Sequence, residues 1–290
     1  TPNISIPIHT VKQGNISVPI TLNYHGGGIR VTELEGNAGI GWTLNAGGCV
    51  SRTVNGHPDE INSSPNRAKG LLLITANDKE FRRRIISKDA NYDIQSKDAY
   101  VQNRPWLATM GEGYVKGVTD MANDVFNISA VGLSGTFIYN DSHQLIFQGD
   151  RHLNIQPSHV FGDYPATFVI KDNSGTEYHF GRREMTKYKY PYGYPNNQTE
   201  DSVYYASAWH LTKIKNIQND SIVFHYTTKV KKLQRGDYGE SRALINNPRL
   251  SHAVPHDISY NGSFVTYYPE ALTAIETNSE IVRFYYSSSS

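Results

Sequence analysis

The sequence predicts a mainly β protein, built of antiparallel hairpins and sandwich-like sheets with a small helical insertion. Two patterns support this: apolar and polar residues alternate over short runs, and clusters of turn-forming residues separate those runs. The composition is the third observation, because 20 of the 290 residues are tyrosine, which suits half-buried pleated surfaces. Charged residues make up only 19% of the chain, so Asn, Ser, Thr and Tyr supply much of its polarity.

The amino-terminal region is predicted to form a hairpin followed by a glycine-rich stretch. Alternation over residues 4–24 predicts two strands, and each contains one proline, Pro7 or Pro19. Proline has no N–H to donate, so both prolines should lie on an edge or at a non-bonded position. Frequent glycines over residues 26–48 indicate tight turns and close backbone packing. A further strand is predicted over residues 49–54.

The chain divides into three regions, of which the middle one differs in character. Residues 66–120 are predicted to be a partly helical insertion, because residues suited to a helix start at 77–80 precede apolar residues at helical spacing. The three arginines at 82–84 fit a solvated helix face better than a phosphate site. Residues 121–290 are β-rich, and we expect them to form one continuous domain with the hairpin and glycine-rich region of residues 1–65.

Strands in the third region are predicted from short β-branched and aromatic runs. They cover residues 125–128, 135–139, 145–147, 167–170 and 176–180. Residues 187–200 are rich in Tyr and Pro and predict an exposed irregular loop.

Two later segments resemble each other. Residues 211–226 and 272–286 each begin with L-T-x-I, continue through a polar turn and end in an apolar run that contains Phe and Tyr. This similarity predicts a repeated hairpin, although two copies are too few to establish an array. Because the pattern begins to repeat and then stops, we expect the natural chain to continue past Ser290.

The glycine-rich stretch contains an ordered motif of glycine, tryptophan and asparagine. Residues 39–48 read G-I-G-W-T-L-N-A-G-G, and residues 51–56 read S-R-T-V-N-G. These runs resemble the G-x-G-W-x-L-N-A-G-G…R-x-V-x-G signature in the N-terminal region of Rhs/YD-repeat-like (Rhs repeat-associated) surface and secreted proteins of Gram-negative bacteria. Motifs at 124–126 and 172–180 follow in the family's order, and most of the chain is covered. The signature residues are Gly39, Gly41, Trp42, Asn45, Gly47, Gly48 and Arg52.

The resemblance implies a protein that is secreted or displayed at the cell surface, in which β-hairpins wind into a hollow shell around a toxin or adhesive domain. It implies a non-enzymatic scaffold module without cofactor or metal, whose partner is the remainder of its own polypeptide chain. The chain lacks a long run of the family's repeats, so it is not expected to form a shell alone. We interpret the signature as structural and expect Trp42 to be buried; Trp42 lining an open pocket would argue against this.

A carbohydrate- or cell-surface-binding module is the first alternative. Exposed tyrosine rings beside the predicted loop can stack on a glycan or contact the surface of a host or competitor cell. The other interpretation is that these rings cover the β core. The tyrosines concerned are Tyr188, Tyr190, Tyr192, Tyr194, Tyr204 and Tyr205.

A glycoside hydrolase is the second alternative, although no catalytic residue can be chosen. Such enzymes use two carboxylates about 5–10 Å apart, and 27 Asp and Glu residues give no way to select a pair. Residues 25–28 read H-G-G-G, as in the oxyanion element of some esterases, but the chain lacks the G-x-S-x-G elbow of those enzymes. Residues 57–60 offer three metal-ligand types in one loop, which rarely completes a site; a structural calcium on another Asp-rich loop stays open.

Charge, hydropathy and cysteine content bound the partners and the compartment. The formal net charge of +1 predicts neither nucleic acid nor a membrane surface as a partner. No run approaches the roughly 18 apolar residues of a spanning helix. Because the chain begins with Thr1, we expect an upstream segment such as a signal peptide. The single cysteine, Cys49, excludes an intrachain disulfide, and its small apolar neighbours predict a buried, inert thiol.

Overall fold

The computed structural model describes residues 3–26, 38–61, 70–87, 120, 122–148, 153–158, 166–189, 202–228, 233–242 and 258–286. Its strands are β1 (Asn3–Gln13), β2 (Ile16–His25), β3 (Trp42–Asn45), β4 (Gly48–Thr53), β5 (Val125–Ala130), β6 (Leu133–Tyr139), β7 (Leu145–Gln148), β8 (Asn154–Pro157), β9 (Phe168–Lys171), β10 (Glu177–Lys189), β11 (Ser202–Lys215), β12 (Ser221–Thr228), β13 (Leu233–Arg242), β14 (Ile258–Tyr268), β15 (Glu270–Glu276) and β16 (Ile281–Arg283). A 3₁₀ turn (Leu71–Leu73) and helix α1 (Ala76–Ser87) complete the described elements. The mainly β, antiparallel fold class is confirmed.

The predicted amino-terminal hairpin is present and continues into a three-stranded sheet of order β1-β2-β3. The pairing of β1 with β2 shifts between Pro7 and His9, which leaves Ile8 as a bulge residue. Cross-strand partners share a face, so the bulge places Ile4 and Ile6 on the same face as Val11. Without the bulge, even-numbered and odd-numbered residues of β1 would lie on opposite faces.

The other strands of the described residues form one branched antiparallel sheet. Its main path runs β13-β14-β10-β11-β4-β5-β6-β7. On one side β12, β15 and β16 continue from β11, and on the other β9 and β8 continue from β10. β4, which contains the end of the glycine-tryptophan signature, therefore lies inside this sheet between β11 and β5.

The two similar segments form the predicted hairpins, β11–β12 and β15–β16, and these hairpins lie side by side because β12 pairs with β15. Both hairpins contain the same side-chain hydrogen bond. In the first, the Tyr226 hydroxyl donates to the Leu211 carbonyl oxygen at 2.9 Å. In the second, the Tyr286 hydroxyl donates to the Leu272 carbonyl oxygen at 2.8 Å. The sequence similarity therefore corresponds to a repeated local structure.

Aromatic rings occupy the centre of the core. Phe126 stacks on Phe137 with ring centroids 4.9 Å apart, and Phe168 packs edge-on against Trp209 at 5.0 Å. All four side chains are almost completely inaccessible. The same buried cluster includes Val11 of the smaller sheet, so both sheets contribute to one core.

Helix α1 confirms the predicted short helix, but it begins at Ala76, ahead of residues 77–80 that were expected to start it. Its cap is Thr75: the Asp78 backbone N–H donates to the Thr75 Oγ1 at 3.3 Å, and the Thr75 N–H donates to the Asp78 carboxylate at 3.0 Å. Arg83 is exposed and pairs with Glu80, as expected for a solvated face. Arg82 instead donates to the Asn123 side chain. Residues 88–119 of the predicted insertion lie outside the described residues.

Several strands differ from the prediction. β10 continues to Lys189, so residues 187–189 of the predicted irregular loop are strand, and residues 190–201 lie outside the described part. β3, β8, β13 and β14 were not predicted, and β3 lies in the stretch that was expected to form tight turns. β13 reads L-Q-R-G-D-Y-G-E-S-R, and its glycines and charges hide the alternation on which strand prediction depends. No helix in the described ranges is long and apolar enough to cross a membrane.

Candidate functional site: an open strand edge and the apolar face beside it

The outermost strand of the hairpin pair presents backbone groups on one side. β16 pairs with β15, and the described residues place no strand on its other side. The Phe284 N–H donates to the Thr273 carbonyl oxygen at 2.9 Å, which directs it toward β15. Because bonding direction alternates along an antiparallel strand, the N–H groups of Ile281 and Arg283 point away from β15. This edge can therefore hydrogen-bond to another strand.

The core-facing side chains are covered in the first hairpin and only partly covered in the second. In β12, Ile222 is inaccessible and Phe224 is 3% exposed. The corresponding Val282 and Phe284 are half-buried. Part of the difference comes from the signature, because Gly47 lies so close to the Phe224 ring that a Cβ there would be 3.0 Å from it.

β1 and the glycine that follows it contact the turns of the two hairpins in succession. At the first turn, the Asp220 carboxylate lies directly against Gly14. At the second, the His9 Nε2 is 3.0 Å from a Glu280 carboxylate oxygen. The Lys12 backbone N–H also donates to Glu280, at 3.4 Å. The turn of the second hairpin therefore contacts the chain closer to the amino end of β1 than the turn of the first hairpin does.

Beyond these contacts, the smaller sheet presents an exposed apolar face. Its two cross-strand rows are Ile4–Tyr24–Trp42 and Ile6–Leu22–Leu44, and these six residues are named here the outer apolar face. Ile4 is 48% exposed and Ile6 is 44% exposed. The same face continues inward to Val11, Val18 and Ile20, which are buried in the core. Along β2 this apolar row is thus buried at one end and open at the other, whereas on β1 His9, the partner of Ile20, lies between Ile6 and Val11.

A cleft of about 300 Å³ separates this face from the hairpins. Trp42 and Leu44 line one side, and Tyr226, Leu272 and Tyr286 line the other. Trp42 is half-buried, so the expectation that it would be buried is wrong. The ring of Tyr24 packs against the indole at a centroid distance of 5.0 Å, and the indole also lines the open cleft. A purely structural role for this tryptophan therefore loses its support.

The glycines of the signature differ in how closely their surroundings pack. Gly48 has a φ of +134°, and a Cβ there would lie 2.3 Å from the Ala130 Cα. Gly41 has a φ of +74°, and a Cβ would lie 2.9 Å from the Tyr24 ring. Gly39 has a φ of +101° but no atom within 4 Å of a Cβ position. Asn45 is exposed.

The remaining signature residue, Arg52, is the centre of a buried ionic cluster. Its Nε donates to the Asp124 carboxylate at 2.8 Å, and its Nη1 donates to the Glu60 carboxylate at 2.8 Å. Asp59 and Asp124 each accept the other's backbone N–H, at 3.1 Å and 3.0 Å. Burial, and then the charge of Asp124, raises the pKa of Asp59 to about 8. Burial and the charge of Asp124 thus favour the protonated form of Asp59.

The Arg52 cluster bears on the possible metal ligands at residues 57–60. Both carboxylates of this segment, those of Asp59 and Glu60, belong to the cluster. The described residues contain no group of three or more side chains suited to a metal ion. Sequence reasoning missed the cluster because Arg52 and Asp124 are far apart in the chain. The available signal was that both residues fall in motifs on which the resemblance described in the sequence analysis rests.

Cys49 lies beside the cleft and is half-buried rather than buried. Burial, and then the nearby charge of Glu184, raises the pKa of its thiol to about 11. The thiol is therefore protonated at neutral pH, which makes it a weak nucleophile.

The tyrosines predicted as one binding surface are not brought together in the described part. Tyr190, Tyr192 and Tyr194 lie outside the described residues. Tyr204 pairs with Lys187 across β10 and β11, whereas Tyr188 and Tyr205 follow at adjacent positions of those strands and so lie on the opposite face.

Tyr204 nevertheless forms a small exposed group. It is 47% exposed, its ring centroid is 6.3 Å from that of Tyr268, and the Lys187 ammonium lies 5.2 Å from the centre of its ring. No protein-family model, curated protein or solved structure matches this chain.

Proposed function

We propose that this chain is a non-catalytic scaffold module of a large exported Rhs/YD-repeat-like protein. Its role is to accept a further β-hairpin of its own polypeptide at the edge of β16 that faces away from β15. The observation that carries the proposal is the repeated hairpin itself. The second copy is added to the first through β12–β15 pairing and repeats the tyrosine-to-leucine hydrogen bond, so a third copy at β16 would extend the same arrangement.

The chemistry of the edge supports this proposal. The N–H groups of Ile281 and Arg283 point outward, and strand addition supplies affinity through such main-chain groups. The half-buried Val282 and Phe284 would lose their remaining exposure beneath an added strand, which contributes roughly 25 cal/mol for each Å² of apolar surface removed from water. Main-chain pairing and apolar burial would therefore act together at this edge.

The test uses a hairpin that the chain itself supplies. A fluorescently labelled peptide of residues 270–286 is titrated with the protein, and binding is followed by anisotropy. We expect binding and slower hydrogen exchange at the amides of Ile281 and Arg283. Arg283→Pro removes one outward N–H without removing a bond to β15, so it should weaken binding at least tenfold.

The matched control is Arg283→Ala, which removes the same side chain and keeps the N–H. It should bind as the unmodified protein does. Absence of peptide binding, or equal affinities for the two variants, would contradict strand addition at β16.

Carbohydrate binding is a second candidate, favoured by the exposed Tyr204 ring beside Tyr268 and Lys187. Aromatic rings on a sheet face stack on sugars through their apolar surfaces. Glycan-array binding that Tyr204→Ala abolishes would support this function. An array without hits would remove it.

A further inference from the structure

We infer that the outer apolar face is the cover for the apolar side chains of the added hairpin, and this inference rests on the proposed function. The outer apolar face is continuous with the core through β2. The inner part of the same face, at Val11, Val18 and Ile20, belongs to the core cluster that also contains Ile222 and Phe224 of the first hairpin. The outer part is apolar as well and lies in the same sheet, yet Ile4 and Ile6 are about half exposed.

The spacing of the hairpin turns along β1 also supports this cover. Neighbouring strands are about 4.8 Å apart, so successive hairpins are displaced by roughly 10 Å. A strand rises about 3.4 Å per residue, so one hairpin corresponds to about three residues of a strand that crosses it. The first turn lies against Gly14, which directly follows β1, and the second contacts β1 between His9 and Gln13. A third turn would therefore meet β1 at about residues 6–8, where the outer apolar face begins.

The chemistry of the outer apolar face also favours such an occupant. None of its six side chains carries a charge, and the cleft beside them is lined by the two repeated tyrosines, Tyr226 and Tyr286, together with His210 and Glu270. The outer apolar face itself therefore fits an occupant that presents apolar side chains to it. The repeated hairpin does so: Ile214 and Ile275, at matching positions of the two copies, are 1% and 0% exposed. The geometry thus selects an amphipathic hairpin of the L-T-x-I kind.

The experiment compares surface variants in which exposed isoleucines are replaced by serine. In the double variant Ile4→Ser/Ile6→Ser, the labelled peptide of residues 270–286 should bind at least tenfold more weakly. Ile146→Ser is the control, since Ile146 is 43% exposed on the distant strand β7 and its replacement should leave binding unchanged. These isoleucines are exposed in the protein alone, and circular dichroism checks that each variant remains folded.

A second pair of measurements tests the occupant. A peptide with Ile275→Asp should lose binding to the unmodified protein. If Arg283→Pro abolishes binding but Ile4→Ser/Ile6→Ser does not, the cover is wrong while strand addition stands; if no peptide binds, the proposed function is wrong. A dimer of the protein alone that the double variant dissociates would show that a second copy occupies the face, and would overturn the inference.

Discussion

Arg52 holds the carboxylate of Asp124 across 72 residues of chain, with 2.8 Å between the Arg52 Nε and an Asp124 oxygen. Arg52 lies on β4, and Asp124 directly precedes β5. Both side chains are completely buried. The pair therefore joins the carboxyl end of β4 to the amino end of β5, the two ends that residues 54–124 connect in sequence.

Arg52→Met should lower the free energy of unfolding by about 3–5 kcal/mol, because it leaves the buried carboxylates of Asp124 and Glu60 without their cation. Urea denaturation measures this loss. Arg83→Met is the control: it removes an arginine from an exposed pair with Glu80 and should cost less than about 1 kcal/mol. Equal losses in the two variants would show that the Arg52 cluster does not contribute as proposed.

Asp59→Asn should change how stability depends on pH. Burial, and then the charge of Asp124, raises the pKa of Asp59 from 3.8 to about 8 in the folded chain. The folded chain thus keeps a proton that the unfolded chain loses above about pH 4, so stability falls as pH rises from about 4 to 8, by up to roughly 1.4 kcal/mol per unit. The asparagine variant should have a flatter profile in denaturation at pH 5, 7 and 9. Identical slopes would contradict the raised pKa.

Gly48→Ala and Gly39→Ala should differ in cost although both glycines have positive φ. At Gly48 the new Cβ would overlap the Ala130 Cα, at 2.3 Å, so the backbone must move. We expect a loss of at least about 3 kcal/mol, from overpacking and backbone strain together. At Gly39 nothing lies within 4 Å, and strain alone should cost about 1 kcal/mol. Thermal unfolding of both variants measures the difference, and similar melting temperatures would contradict it.

Tyr226→Phe should lower the free energy of unfolding by about 0.5–1.5 kcal/mol, since it removes the hydrogen bond to the Leu211 carbonyl oxygen. The control is Tyr285→Phe, because Tyr285 is 87% exposed and its hydroxyl is accessible to water. Chemical denaturation should leave that variant unchanged. A neutral result at Tyr226 would mean that the bond contributes nothing net to the hairpin.

The hairpins were predictable because their signals are local: alternation and turn residues lie within a few positions of each other. The Arg52 cluster was not, since nothing near Arg52 in sequence identifies a partner as distant as Asp124. The split of Tyr204 from Tyr205 could have been foreseen, because adjacent residues of a strand point to opposite faces. The exposure of Trp42 could not, since it depends on where β3 lies relative to the second hairpin.

The bulge at Ile8 has a consequence for how this strand can vary in length. Pro7 and His9 already pair with neighbouring residues of β2, Thr21 and Ile20, so deleting Ile8 would join them in an uninterrupted ladder. Ile8 can therefore be deleted while residues 3–7 keep their partners on β2 and their side chains stay on the same faces of the sheet.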